Sequence, residues 1–147
     1  MTRAARPASV RYYIDADVLG LAKILVQLRP DVTYPGDQGG VLHKRRRPPC
    51  RVTSPGALDT EWIPVCAEEH WLIISRDKSI ASTPAEIVAV RESGARMVAL
   101  AGGEAIGTWN QLEVLMCQWR AIERLLEDSG PYIYSATRSS LRQVELT

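Results

Sequence analysis

Tyr12-Tyr13-Ile14-Asp15-Ala16-Asp17 and Trp71-Leu72-Ile73-Ile74-Ser75-Arg76-Asp77 decide how this chain folds. In each stretch an apolar run breaks on acid. Neither run alternates polar with apolar residues. A strand covered on both faces has no need to, so both are predicted to be buried strands of a parallel sheet. In an open α/β sheet the ligand crevice lies outside the carboxyl ends of the strands. Asp15, Asp17 and Asp77 are therefore expected to converge there. Carboxylates held together repel one another unless a cation lies between them. Mg²⁺ and Mn²⁺, which favour oxygen ligands, suit such a place.

The pattern extends outward from these two strands. The first is expected over residues 11–14. Residues 18–29 follow, with Leu19, Ala22, Leu25, Val26 and Arg29 at helical spacing and Pro30 as the stop. Residues 31–34 form a second, short strand. Pro64 fits a helix only near its start, so a helix is predicted from Asp59 or Thr60 to about His70. Thr83-Pro84-Ala85-Glu86 has the form of a capping box, and its helix should end at Ser93-Gly94. A strand over 96–101 and a helix over 105–128 come next. That helix carries Trp109, Leu112, Leu115, Met116, Trp119, Ile122 and Leu126 as an apolar stripe, read as core. Two short strands, 132–136 and 141–146, close the pattern. Strands alternating with helices give an α/β fold: three α/β/α layers around a mainly parallel central sheet with right-handed crossovers.

At 147 residues the chain suits a single domain spanning 1–147, without internal repeats. Residues 1–10 are expected to be a loose leader. Residues 35–57, rich in proline and glycine, are expected to be a long, mobile basic loop, and long loops are usually functional or disordered. Segment 43–51 carries five Lys and Arg; without them the net charge of +1 becomes −4. Lys44, Arg45, Arg46, Arg47 and Arg51 are therefore candidates for contact with a phosphate backbone or an acidic partner, or for a merely solvated loop. Cys50, Cys66 and Cys117 show no zinc spacing and read as reduced thiols of a cytoplasmic protein. Asp15, Asp17, Lys23 and Gln27 interrupt the early apolar run, so neither a signal peptide nor a membrane span is predicted.

Each acid has a structural reading beside the functional one. Asp17 can cap the helix that follows it. Asp59 and Glu61 can complement a helix N-terminus. Asp77 can be a solvated turn residue, although its place at a strand end matches that of Asp15. Arg76 and Lys78 can be surface charges or can hold a phosphate against the carboxylates. Ser75 can orient a ligand or a metal-bound water.

These residues carry a resemblance. Tyr-Tyr-Ile-Asp15-Ala-Asp17-Val-Leu, Asp59-Thr-Glu61-Trp-Ile and Ile-Ile-Ser75-Arg76-Asp77-Lys78-Ser-Ile resemble, in order, the motifs of the PIN-like domain superfamily. The likeness spans residues 11–101 and is greatest to the short branch related to VapC toxins. It implies a metal-dependent ribonuclease, the toxin of a toxin–antitoxin pair. Asp15, Asp59 and Asp77 would be the metal ligands, and Asp17 would be a fourth catalytic position. Glu61, Ser75, Arg76 and Lys78 would support them. RNA and an antitoxin protein would be the partners, with a homodimer possible. The chain departs from the family in one respect: where a further acid follows the third, residues 78–82 offer only serines as polar uncharged groups beside Lys78.

On this reading one or two Mg²⁺ or Mn²⁺ ions activate a water and steady the charge on the attacked phosphate. Two alternatives remain open. Ile14-Asp15-Ala16-Asp17-Val18 also resembles the nucleophile motif of HAD-type phosphatases, with Asp15 attacking phosphorus and Asp17 as acid and base. A non-catalytic interaction module would keep the fold and bind through residues 35–57.

Overall fold

The computed structural model describes residues 5–77, 84–101 and 103–146, with only the backbone described at Asp77. In chain order its strands and helices are β1 (Arg6–Pro7), β2 (Tyr12–Ile14), α1 (Leu19–Leu25), β3 (Val32–Thr33), β4 (Gly40–Leu42), β5 (Arg45–Arg47), α2 (Asp59–Glu68), β6 (Leu72–Asp77), α3 (Pro84–Ser93), β7 (Arg96–Ala101), α4 (Gly107–Leu125), β8 (Tyr132–Ala136) and β9 (Leu141–Val144). A single 3₁₀ turn, Ala16–Val18, joins β2 to α1.

The main sheet has the order β3-β2-β6-β7-β8-β9. All its neighbours pair in parallel except β8 and β9. Side chains alternate strictly across it. Tyr12, Ile14, Leu72, Ile74, Val98 and Leu100 pack with residues of α1 and α4. Tyr13, Ile73, Met97, Ala99 and Ile133 pack with residues of α2 and α3. The layers are thus α1/α4, sheet, and α2/α3, as the unbroken apolar runs require. Each fully buried Leu or Ile contributes about 1.5–3 kcal/mol relative to exposure, and Ile73 and Ile74 are both wholly buried, on opposite faces. Between β2 and β6 the direction of winding reverses: α1 carries the chain from β2 outward to β3, and the chain then returns across β2 to β6. A reversal of this kind leaves a crevice at the carboxyl ends of the two strands.

Several boundaries differ from expectation. The helix expected over 18–29 is confined to Leu19–Leu25, because residues 16–18 take a 3₁₀ turn and residues 26–28 leave in a further turn. Strand β6 runs two residues past Ser75, paired with β7 through Asp77↔Ala101. The capping residue Thr83 lies outside the described residues. The stripe on α4 is only partly core: Trp109 is 79% and Met116 62% exposed. They fall on the side of α4 turned away from the sheet, while Val114, Leu115, Ile122 and Leu125 are buried.

The largest departure concerns the leader and the basic loop. Within the leader, Arg6–Pro7 forms a strand. The expected loop folds into the hairpin β4–β5, and β1 adds to it in parallel, giving a second, three-stranded sheet. His43 and Lys44 form the hairpin turn, both with positive φ, as a two-residue turn between twisted strands demands. Arg47, expected on a solvated loop, is buried. Its guanidinium makes two bonds to the Asp37 carboxylate, Nε at 3.1 Å and Nη2 at 3.0 Å. Thr33 Oγ1 and the Gly39 amide also donate to Asp37. Gly39 has φ +83, and a Cβ there would lie 2.5 Å from the Arg47 carbonyl oxygen. A buried charge pair and a close backbone approach therefore hold a segment whose composition suggested mobility.

Candidate functional site

Strand β2 ends at the crevice and delivers Asp15. The Asp15 amide donates to the Ile74 carbonyl at 2.9 Å, extending the β2–β6 ladder by one bond. Asp15 stays extended (φ −64, ψ 158), and its carboxylate accepts from the Ala16 amide at 2.6 Å. Alternation places Asp15 on the face of Tyr13, toward α2 and α3. Ser75 shares this face, two residues beyond Ile73. Asp17, in the 3₁₀ turn, accepts from the Arg76 amide at 3.2 Å. That bond spans the crevice and ties the first acidic motif to the second.

The Asp15 carboxyl is pushed up from 3.8 to about 8. Burial is the largest cause, followed by the charge of Asp17; Glu86 adds repulsion, and the Ala16 amide opposes the rise. Glu86 lies in the first turn of α3. From sequence it reads only as half of a capping box. Its signal was there: an acid at the head of the helix after β6, four residues beyond the serine stretch in which a further acid was sought.

Asp59 heads α2, in the same layer. Its carboxylate accepts from Trp62 Nε1 at 3.0 Å. Trp62 in turn stacks on Tyr13, 5.2 Å between ring centroids, and Trp71 covers the other side at 5.9 Å. Asp59 thus orients an aromatic stack two residues before Asp15 in the strand. Among the described residues, no three His, Cys, Asp or Glu gather as a metal-holding group, so Asp15 and Asp17 are not joined by Asp59 or by Glu86 into a closed ligand set. Asp77 ends β6 beside the crevice, with its side chain outside the described residues, as is the whole of Lys78. Glu61 is exposed and lines a different cleft, of about 390 Å³, between residues 51–57 and α2.

Two further groups lie on β6 next to the crevice, Ser75 on the face of Asp15 and Arg76 on the opposite face by alternation. Ser75 is buried, and its hydroxyl has no hydrogen-bond partner among the described residues. Arg76 Nε is likewise buried without a partner among them. Buried polar atoms nearly always find partners in a native protein, so an oxygen ligand and an anion respectively would complete them.

The PIN-like domain family model matches residues 11–102. The chain belongs to the PIN-like domain family. That stretch runs from the residue before β2 to the residue after β7 and includes every acid discussed above. No curated protein and no solved structure shows a significant match to the chain. Outside the acid crevice, the basic candidates separate. Lys44, Arg45 and Arg46 are exposed, Arg47 is buried against Asp37, and Arg51 pairs with Glu68 and Glu69 at 3.1 and 2.9 Å. Among the described residues no helix is long and apolar enough to cross a membrane.

Proposed function

We propose that this PIN-like protein is a metal-dependent ribonuclease that hydrolyses RNA phosphodiester bonds at the β2/β6 crevice. One observation carries the reading: half-buried Asp15 at the end of β2 stands beside Asp17, which spans the crevice to accept from the Arg76 amide, and burial with the charges of Asp17 and Glu86 raises the Asp15 carboxyl to about 8. A fold gains nothing from such crowding, whereas a divalent cation removes its cost. Mg²⁺ or Mn²⁺ often takes only one or two protein carboxylates and keeps several waters, so the Asp15–Asp17 pair fits without a closed three-acid set. Asp15 and Asp17 would hold the metal, with Asp77 at the neighbouring strand end. Glu86 would take the place of the further acid that residues 78–82 lack.

When bound, the metal supplies Lewis acidity and lowers the pKa of a bound water. The chain's own groups do the rest. The Arg76 amide holds Asp17 toward the crevice. The Arg76 side chain alternates to the Ile74 face of β6, so its charge would act on a phosphate only from beyond the strand end. The Ser75 hydroxyl can orient a water or a ligand oxygen. Asp59 acts at one remove: through Trp62 it fixes the stack that seats Tyr13, and with it the end of β2. Lys78 would add a second positive charge.

The finer role is that of a VapC-like toxin neutralised by an antitoxin protein. The motif resemblance in the Asp15 and Asp77 stretches supports it, and the exposed Lys44, Arg45 and Arg46 offer an acidic partner a surface. The family assignment leaves the HAD-type phosphatase without support. The non-catalytic module keeps one observation in its favour, the lack of a three-ligand group among the described residues.

The deciding experiment incubates the protein with total RNA in Mn²⁺, in Mg²⁺ and in chelator, beside Asp15→Asn. Cleavage that needs metal and is lost in the variant supports the nuclease. An RNA profile unchanged in every arm would leave the interaction module.

A further inference from the structure

At the opposite end of β2 from Asp15 lies a cleft of about 270 Å³, lined by Pro7, Ala8, Ser9, Arg11, Arg29, Pro30, Asp31 and Arg45, of which the three arginines and Asp31 carry its chemistry. The arginines come from three separate segments, each pinned by backbone bonds. The Arg11 and Tyr12 amides both donate to the Asp31 carbonyl, at 2.9 and 3.1 Å. Arg45 pairs with Arg6 across β1 and β5, and the Ala8 amide donates to the Arg46 carbonyl at 2.8 Å.

Arg29 is fixed in orientation. Its Nε and Nη2 bond both oxygens of Asp31, at 3.0 and 2.8 Å, and its guanidinium carbon lies 4.6 Å over the Trp119 ring. Arg11 and Arg45 have no ion-pair partner among the described residues. Three guanidinium groups against one carboxylate leave the cleft with two uncompensated positive charges. Guanidinium forks match the paired oxygens of phosphate; Asp31 takes the Nε–Nη2 fork of Arg29 and leaves its Nη1, so the forks offered to a phosphate are those of Arg11 and Arg45. A phosphate monoester carries about −1.5 to −2 charge near neutral pH, with three strong acceptor oxygens. An internal phosphodiester carries a single charge.

We propose that this cleft is a phosphate-monoester site, formed by Arg11, Arg29 and Arg45 and separate from the carboxylate crevice. Four residues of extended chain separate Arg11 from Asp15, about 13 Å at ~3.3 Å per residue. A phosphate in the cleft is therefore not the one exposed to the acids. The source would be the terminal phosphate of an RNA strand, which rests on the nuclease reading above, or a free phosphate, which does not.

The test measures binding in chelator, where cleavage plays no part and its failure is a separate result. Calorimetry uses inorganic phosphate and a short oligoribonucleotide with either a 5′-phosphate or a 5′-hydroxyl. The expected result is a phosphate-competed preference of about tenfold or more for the phosphorylated strand, as one strong charge-assisted fork supplies. Arg11→Gln with Arg45→Gln should abolish that preference. Arg11→Lys with Arg45→Lys keeps the charge and loses the forks; it should retain salt-sensitive affinity and lose most of the preference. Binding of inorganic phosphate with equal affinity for the two strands would keep the site and overturn the RNA source. No heat with inorganic phosphate and no preference between strands would overturn the site itself. A preference undiminished in both double variants would do the same.

Discussion

Replacing Asp15 by Asn tests whether crowding at the crevice is stored as lost stability. The carboxyl that titrates near 3.8 in the unfolded chain is raised to about 8 in the fold, by burial first and then by Asp17 and Glu86. Between those values the native state holds a proton that the unfolded chain has lost. The contribution of Asp15 to stability is therefore most favourable below about pH 4 and is lost as pH climbs toward 8. At about 1.4 kcal/mol per unit the ceiling at pH 7 is ~4 kcal/mol, and reorganisation of the site reduces this to about 2 kcal/mol. Asn keeps an oxygen for the Ala16 amide and carries no charge. In chelator at pH 7–8 the variant should melt about 4–8 °C higher than wild type. At pH 4 the two should melt alike. Mn²⁺ should raise the wild-type melting temperature and leave the variant unmoved, and metal affinity should climb with pH toward 8, because the ion must displace the Asp15 proton. The assay is a calorimetric melt from pH 4 to 8. Identical pH dependence for wild type and variant would refute the reasoning.

Other substitutions separate the structural devices. Arg47→Ala leaves Asp37 charged in a site where the two side chains are only 6% and 1% exposed, and should cost about 3–5 kcal/mol in denaturant unfolding. Lys44→Ala with Arg46→Ala should cost under about 1 kcal/mol, since both are surface positions, yet should flatten the salt dependence of RNA binding. Gly39→Ala, with its Cβ against the Arg47 carbonyl and φ positive, should destabilise by about 1–3 kcal/mol. Trp109→Ser should change stability by no more than about 0.5 kcal/mol, whereas Trp62→Ala should cost about 3–5 kcal/mol, because Trp62 is buried in the Tyr13 stack.

The parallel sheet was legible because burial on both faces writes itself into unbroken apolar runs. Residues 12–14, 72–75 and 96–101 all lie in strands, and the Arg76 amide of the second stretch bonds Asp17 of the first. What local pattern could not show was pairing over distance. Asp37 and Arg47 each look like loop residues; only their mutual burial, ten positions apart, turns the segment into a hairpin. The stripe on α4 failed for a related reason. Spacing shows that Trp109 and Met116 share a side with other apolar residues, but the position of the sheet decides how wide a stripe is covered. Glu86 is not legible as a site residue because a capping pattern already accounts for it, and only the fold brings its charge to bear on Asp15.

The sheet order explains why the chemistry gathers where it does. Beside β2, one crossover leaves toward β3 and the chain comes back to β6, so the two connections diverge at the carboxyl ends of β2 and β6. Among the described residues, polar groups come to that end from several elements: Asp15 and Asp17 after β2, the Arg76 amide from β6, and the charge of Glu86 from the head of α3. The apolar layers on both sides leave Asp15 half-buried, and burial is the largest cause of the rise of its carboxyl. In water the same carboxylates would repel one another only weakly. The core that makes the strands apolar is thus also what makes the acids at their ends costly without a cation, and Asp15 is where the two meet.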